Sequence, residues 1–181
     1  RLALTALHDM FREHGAGADK RYLALVKGRW MNVTQHVRLP LFKFQTAQGE
    51  RRVRVANEGK TAHTVFRLLA RWPQVSLLEA QLKTGRTHQI RVHLAHLGFP
   101  ILGDEKYGDF ALNHELRRGA LKRMALHAWR MDFRHPLSGA PLQLSAALPE
   151  SLCQYIAALN AGAEREYAAA DLADMICFRD K

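Results

Sequence analysis

Three stretches of this chain alternate apolar and polar residues with a period of two, and no other feature limits its fold so sharply. Val33, Val37 and Leu39 interleave with Thr34, His36 and Arg38; Val53 and Val55 with Arg52 and Arg54; Leu78, Ala80 and Leu82 with Glu79, Gln81 and Lys83. Successive side chains of a strand point to opposite faces, so each stretch predicts a strand with one dry and one wet face. The run RYLALVKG, residues 21–28, is almost wholly apolar and ends in glycine, which predicts a central strand covered on both faces. ALHAWRMDF and PLQLSAA read as two further strands, joined through a turn of Pro, Ser and Gly at HPLSGAP. Leu4, Leu7 and Phe11 fall at helical intervals before Gly15 and Gly17, one helix is expected to start near Glu150, and another to end near Phe178. Strands at hairpin spacing with helices at both ends and one in the middle predict an α+β fold. Its sheet is mainly antiparallel, mixed, and flanked by helices, rather than built from repeating βαβ units.

With 181 residues, 48% of them hydrophobic, the chain can bury one sizeable core, and residues 1–181 are read as a single domain. Its 27 Lys and Arg against 17 Asp and Glu leave a net charge of +10, which points to phosphate polyanions as the natural counter-surface. Acidic lipid is an alternative, but no apolar run approaches the ~18 residues of a membrane span. The N-terminal RLALTALHDMFREHG has acids and a helical period where a signal peptide would be uninterruptedly apolar, so a cytoplasmic protein is expected. Cys153 and Cys177 show no CxxC or His/Cys ligand spacing and read as reduced, structural residues.

The chemistry concentrates in KTGRTHQIRVHLAH, residues 83–96, which packs three cations and three histidines into fourteen positions. It continues the strand Leu78 to Lys83, turns at Thr84 and Gly85, and enters a helix with Thr87 as the expected N-cap and Gly98 as its stop before Pro100. Ile90, Leu94 and Leu97 form one buried stripe, His88 and Arg91 a second face, and His93 and His96 a third. His88 and His93 are about 140° apart on that wheel, so one straight helix cannot offer all three imidazoles to a metal ion. The HExxH spacing of zinc hydrolases is absent as well. His93 and His96 are expected to be partly buried, hydrogen-bonded structural residues. Arg86, His88 and Arg91 at a helix start suit an anion, because cations and free N–H groups point at one place; a solvated helix start explains them equally well.

KTGRTHQIRVHLAHLGFPILGDEKYGD resembles the third signature motif of the RluA/RluC-type RNA pseudouridine synthases. DKRYLALVKGRW is similar to the segment that carries the family's active-site tyrosine. RVRVANEGKTAHTVFRLL resembles the strand pair that follows, and LHAWRMDFRHPLSGAPLQLSAALPESL the closing block of the catalytic domain. The resemblance spans residues 1 to about 160. It implies a pseudouridine synthase-like catalytic domain that isomerises uridine in RNA, large-subunit ribosomal RNA above all. By resemblance Arg91 is the cation that pairs with an essential aspartate, and Tyr22 is the ring that stacks on the uracil and helps move a proton.

That aspartate belongs to a motif of the form HRLDxxTSG, which this chain does not contain. The chain is therefore expected to be the C-terminal portion of the catalytic domain, inactive by itself, with the nucleophile segment and an S4-type RNA-binding domain lying upstream. Arg86, His88 and Lys106 are the RNA contacts expected near the pocket, with Arg51, Arg52 and Arg54 as more distant candidates. Isomerisation involves no net redox change or group transfer, so no cofactor and no metal are expected, and for want of a heptad the protein is expected to be a monomer. The alternative is a non-catalytic RNA-binding domain of the same fold.

Overall fold

The computed structural model describes residues 2–12, 18–119 and 121–172. The expected glycine stop at Gly15 and Gly17, the helix end near Phe178 and Cys177 lie outside these residues. The described elements are α1 (Leu2–Arg12), β1 (Ala18–Lys27), β2 (Thr34–Arg38), β3 (Leu41–Gln45), β4 (Arg51–Val55), β5 (His63–Arg71) and β6 (Val75–Leu82). They continue as α2 (Gln89–His96), α3 (Phe110–Arg118), β7 (Leu126–Arg134), β8 (Pro141–Ser145), α4 (Glu150–Gly162) and β9 (Tyr167–Ala168).

One sheet runs β2-β5-β6-β1-β7-β8, with β9 on the far half of β5; β3 and β4 form a separate hairpin. Every strand pair among the described residues is antiparallel. The mainly antiparallel α+β architecture therefore stands. β1 is central, as its apolar run predicts, and Leu23, Ala24, Leu25 and Val26 are buried. Trp30, Phe66, Leu78 and Ile90 join them in the main core, which Leu152 and Ile156 of α4 complete. Burying side chains of this size contributes roughly 1.5–3 kcal/mol each, which makes this core the main source of stability.

The strand register divides the sheet into two faces. Cross-strand partners Phe66, Ala80 and Tyr22 share one face, and Arg67, Glu79 and Arg21 share the other. Glu79 was expected on a wet face, yet it is buried. Its Oε1 accepts from Arg21 Nη1 at 3.2 Å and Arg67 Nε at 3.4 Å, so two cations from the neighbouring strands cover it. Val33 departs in the opposite sense: it precedes β2 and is exposed, although Val37 in the same alternation is buried.

Leu102 is threaded back onto β1, where its N–H donates to Leu25 O and its carbonyl accepts from Ala125 N–H. Gly103 follows with φ of 74°, and a Cβ there would lie 2.3 Å from the carbonyl oxygen of Arg123. Only glycine lets the two segments approach so closely. Asn113 of α3 then locks this return, accepting from Gly103 N–H at 2.7 Å and donating to Asp104 O at 2.8 Å. The sequence reading had no helix at α3, although Asp109 caps it by accepting from Leu112 N–H at 3.0 Å.

Candidate active site

α2 begins one residue later than expected. Its N-cap is His88, and Thr87 is exposed and not the cap. The Gln89 side chain instead ties the preceding turn to β5: its Oε1 accepts from Arg86 N–H and the Thr84 hydroxyl, while its amide donates to His63 O and Thr64 Oγ1. The helix ends as predicted, with Gly98 at φ of 83° and Phe99 N–H donating back to Leu94 O.

Ile90 and Leu94 are buried as the stripe requires, and Leu97 is half-buried against the core. His93 is fully buried and hydrogen-bonded. Its Nε2 faces the carbonyl of Leu39 at 3.0 Å and its Nδ1 faces the Thr64 hydroxyl at 3.0 Å. A carbonyl can only accept, so Nε2 carries a proton. Burial pushes its pKa down despite the Leu39 bond. His96, expected to be partly buried with it, is exposed, because the buried arc of α2 turns toward Gln89 and Val92 instead.

Arg91 is held in a bidentate pair by Asp104. Nε donates to Oδ2 at 2.8 Å and Nη2 donates to Oδ1 at 2.7 Å. Asp104 is 1% exposed, and its Oδ1 also accepts the N–H groups of Lys106 and Tyr107. Burial alone would raise this carboxyl, but Arg91 and the two amides outweigh it and hold it below the ordinary aspartate range. The Arg91 pKa is raised, by the hydrogen bond to Asp104 above all. Its guanidinium stands 5.0 Å from the Tyr107 ring centre, a cation–π contact. Nη1 makes no hydrogen bond among the described residues, so one edge of the cation is fixed and the other is free.

The Tyr107 hydroxyl joins three segments. It accepts from Val53 N–H of the β3–β4 hairpin at 3.0 Å and stands 2.9 Å from His88 Nδ1. Tyr107 thereby ties the His88 ring to the hairpin through a single hydroxyl. Burial, then Arg91 and Lys106, lower the His88 pKa and keep that ring neutral near pH 7. His88 has φ of 55°, the only positive value outside glycine among the described residues. Such a conformation costs on the order of 1–3 kcal/mol and persists only where the surroundings over-determine it, commonly at functional sites.

Tyr22 lies on β1 where the pairing with β7 slips. Arg21 pairs with Arg130 and Tyr22 with Ala128, leaving Trp129 as the extra residue of a bulge. Tyr22 lines a cleft with Ala128, Met131 and Leu144, and burial raises the pKa of its phenol. It therefore retains its proton at neutral pH. Arg91 lines a different cleft, with Glu105, Arg117, Lys122 and Arg123.

The structure thus gathers Arg91, His88 and Lys106 around Tyr107 and sets Tyr22 and Arg86 apart. Arg86 lines a third cleft beside the hairpin and donates to Thr61 O at 3.2 Å. Lys106 is ion-paired with Glu50 at 2.8 Å. Arg52 pairs with Glu50, Arg54 stands over Phe42 and Phe44, and Arg51 is exposed. Sequence reasoning missed Asp104 as the partner of Arg91 and Tyr107 as the post between helix and hairpin. The signal lay in GDEKYG, where an acid, an aromatic and two glycines follow the motif helix.

A basic antiparallel sheet domain thus carries a clamped arginine on its motif helix and a tyrosine at a strand bulge. The human RNA pseudouridylate synthase domain-containing protein 1 shares the fold with a TM-score of 0.68 and 25% identity, over 89% of this chain and 72% of that one. The human domain-containing protein 4 matches with a TM-score of 0.67 over 91% and 69% of the two chains, and at 23% identity shows the fold alone. The chain belongs to the RNA pseudouridylate synthase family, whose family model matches residues 1–96. Ribosomal large subunit pseudouridine synthase C of Pasteurella multocida is 40% identical over 160 residues, and that of Escherichia coli K12 is 41% identical over 154. These matches cover 88% and 84% of this chain but 48% of each relative, so the chain spans about half the length of the curated relatives it matches.

Proposed function

We propose that the protein isomerises specific uridines of large-subunit ribosomal RNA to pseudouridine, and that this chain supplies the arginine and the tyrosine of the site. The free Nη1 edge of Arg91, beside the edge that Asp104 fixes, is the observation that carries this reading. The reaction breaks the bond between C1′ and N1, turns the uracil, joins C1′ to C5 and moves the C5 proton to N1. It needs a carboxylate to attack or stabilise the sugar–base unit, and a fixed cation holds that carboxylate ionised at neutral pH. Arg91 is such a cation, since its orientation is set before any substrate arrives. A ring on a bulged strand tolerates a rotating base on its face. Because Tyr22 keeps its proton, its hydroxyl donates rather than abstracts until a base relieves it.

The reacting carboxylate comes, on this reading, from an HRLD-type segment preceding these residues, and the chain alone is inactive. Five aspartates among the described residues are engaged within the chain. Asp104 is spent on Arg91, Asp109 on Lys27 and the α3 amides, Asp19 on Arg21 and Gln81, Asp132 on Arg130 and Gln143, and Asp171 on Arg67. Neutral His88 and Arg86 contact the RNA beside the site, and Lys106 joins them when it leaves Glu50. A uridine in folded RNA must first be flipped out, at a cost of a few kcal/mol that phosphate contacts offset. The protein works in the cytoplasm as a monomer, without metal or cofactor.

Mass-spectrometric mapping of pseudouridine in ribosomal RNA from cells lacking the gene tests this reading. Loss of specific large-subunit pseudouridines, restored by the full-length gene, supports it. An unchanged map in cells whose protein still binds ribosomal RNA would favour a non-catalytic RNA-binding domain.

A further inference from the structure

The cleft that Arg91 lines has a volume of about 240 Å³ and four cationic walls: Arg91, Arg117, Lys122 and Arg123. Two of these charges are neutralised within the protein, Arg91 by Asp104 and Arg117 by Glu105. Lys122 and Arg123 are exposed and form no ion pair among the described residues. They do not sit on a loose loop. Leu121 before them and Ala125 after them are each 1% exposed, and Ala125 N–H is bonded to Leu102 O at 2.8 Å. The Arg123 carbonyl lies where a side chain on Gly103 would stand, so the backbone between the two cations and the Arg91 clamp is in direct contact. A rigid segment therefore aims two uncompensated charges into the cleft beside the guanidinium that the proposed reaction uses.

We propose that this cleft grips a backbone phosphate of the RNA strand, flanking the nucleotide that reaches Arg91, with Lys122 and Arg123 as the phosphate contacts. Cations without an internal counter-charge are the ones free to displace counterions from a polyanion, and a pinned backbone lets one phosphate be held in register with the base. The contact positions the strand and reads no sequence. This proposal rests on the RNA-directed function above, but it can fail separately.

The test uses the full-length protein and compares Lys122→Gln with Arg123→Gln, as a double variant, against wild type. As a control, the equally exposed Arg38 and Arg165 are neutralised instead. RNA affinity is measured between 50 and 200 mM salt, and pseudouridine formation is measured at saturating RNA. Two lost phosphate contacts lower the salt exponent by about 1.4 to 1.8, so over that fourfold range wild type loses about 7 to 12 times more affinity than the variant. The Michaelis constant rises, turnover at saturation stays within twofold, and the weakening is the same across target sequences. The control pair leaves both the salt exponent and the Michaelis constant closer to wild type. A double variant with the wild-type salt exponent, or one that loses turnover without losing affinity, overturns the proposal. A wild-type protein that binds no RNA overturns the underlying reading instead.

Discussion

Replacing Asp104 by Asn isolates the clamp on Arg91. The carboxylate accepts four hydrogen bonds, three of them at Oδ1 from Arg91 Nη2 and the amides of Lys106 and Tyr107, and one at Oδ2 from Arg91 Nε. An amide placed there can present its oxygen to the three donors, but its NH2 group then faces the Nε–H of Arg91. One bond to a charged donor, worth about 1.5–3 kcal/mol, is lost, and the guanidinium is left without its counter-charge. Breaking a buried pair from one side costs about 3–5 kcal/mol; the Arg91 side chain keeps 17% exposure and some water, which places the loss near 3 kcal/mol. For a chain of this length that lowers Tm by about 6–12 °C. The assay is urea and thermal unfolding followed by tryptophan fluorescence. A double-mutant cycle with Arg91→Met separates the pair from the surrounding packing, with the double variant losing less than the sum of the singles.

The pH dependence has a definite sign. The Asp104 pKa is lowered in the folded state, so the stability it contributes is present above the unfolded value of about 3.9 and drains as pH falls through the lower folded value. Wild type should therefore lose stability more steeply than Asp104→Asn below about pH 4. A variant within 1 kcal/mol of wild type at neutral pH, with the same acid slope, would refute the clamp.

Gly103→Ala should cost at least about 3 kcal/mol, because it adds a collision with the Arg123 carbonyl to the strain of a positive φ, whereas Gly98→Ala, with open space around its Cβ, should cost only about 1 kcal/mol. Equal losses in urea unfolding would contradict the role given to the close approach. His93 has a lowered pKa, so its contribution to stability is full above about pH 6.5 and falls as pH drops toward the folded value. His93→Gln should flatten that part of the stability curve, and a slope unchanged by the substitution would show that the ring titrates normally.

Local signals in the sequence sufficed for the centre of the fold. The apolar run over residues 21–28 identified β1 as central, and Gly98 marked the end of α2, because each is decided within a few residues. The wet side assigned to Glu79 failed for a different reason. Alternation tells two faces apart, but which of them is covered depends on the neighbouring strands, here β1 and β5, which bring Arg21 and Arg67 over the carboxylate. The clamp on Arg91 needed the chain to return onto β1 at Leu102, a long-range pairing that no local pattern encodes. Thr87 was a plausible cap by residue type, yet Gln89 could reach four backbone and side-chain partners once β5 stood beside it.

The central claim is that a guanidinium fixed by Asp104 serves the reacting carboxylate. It is tested most directly by single-turnover pseudouridine formation in the full-length protein carrying Arg91→Lys. Lysine keeps the charge but cannot bridge two carboxylates through a planar fork. Turnover should fall at least about 100-fold while RNA affinity changes less than about threefold. Turnover within about fivefold of wild type would contradict the account.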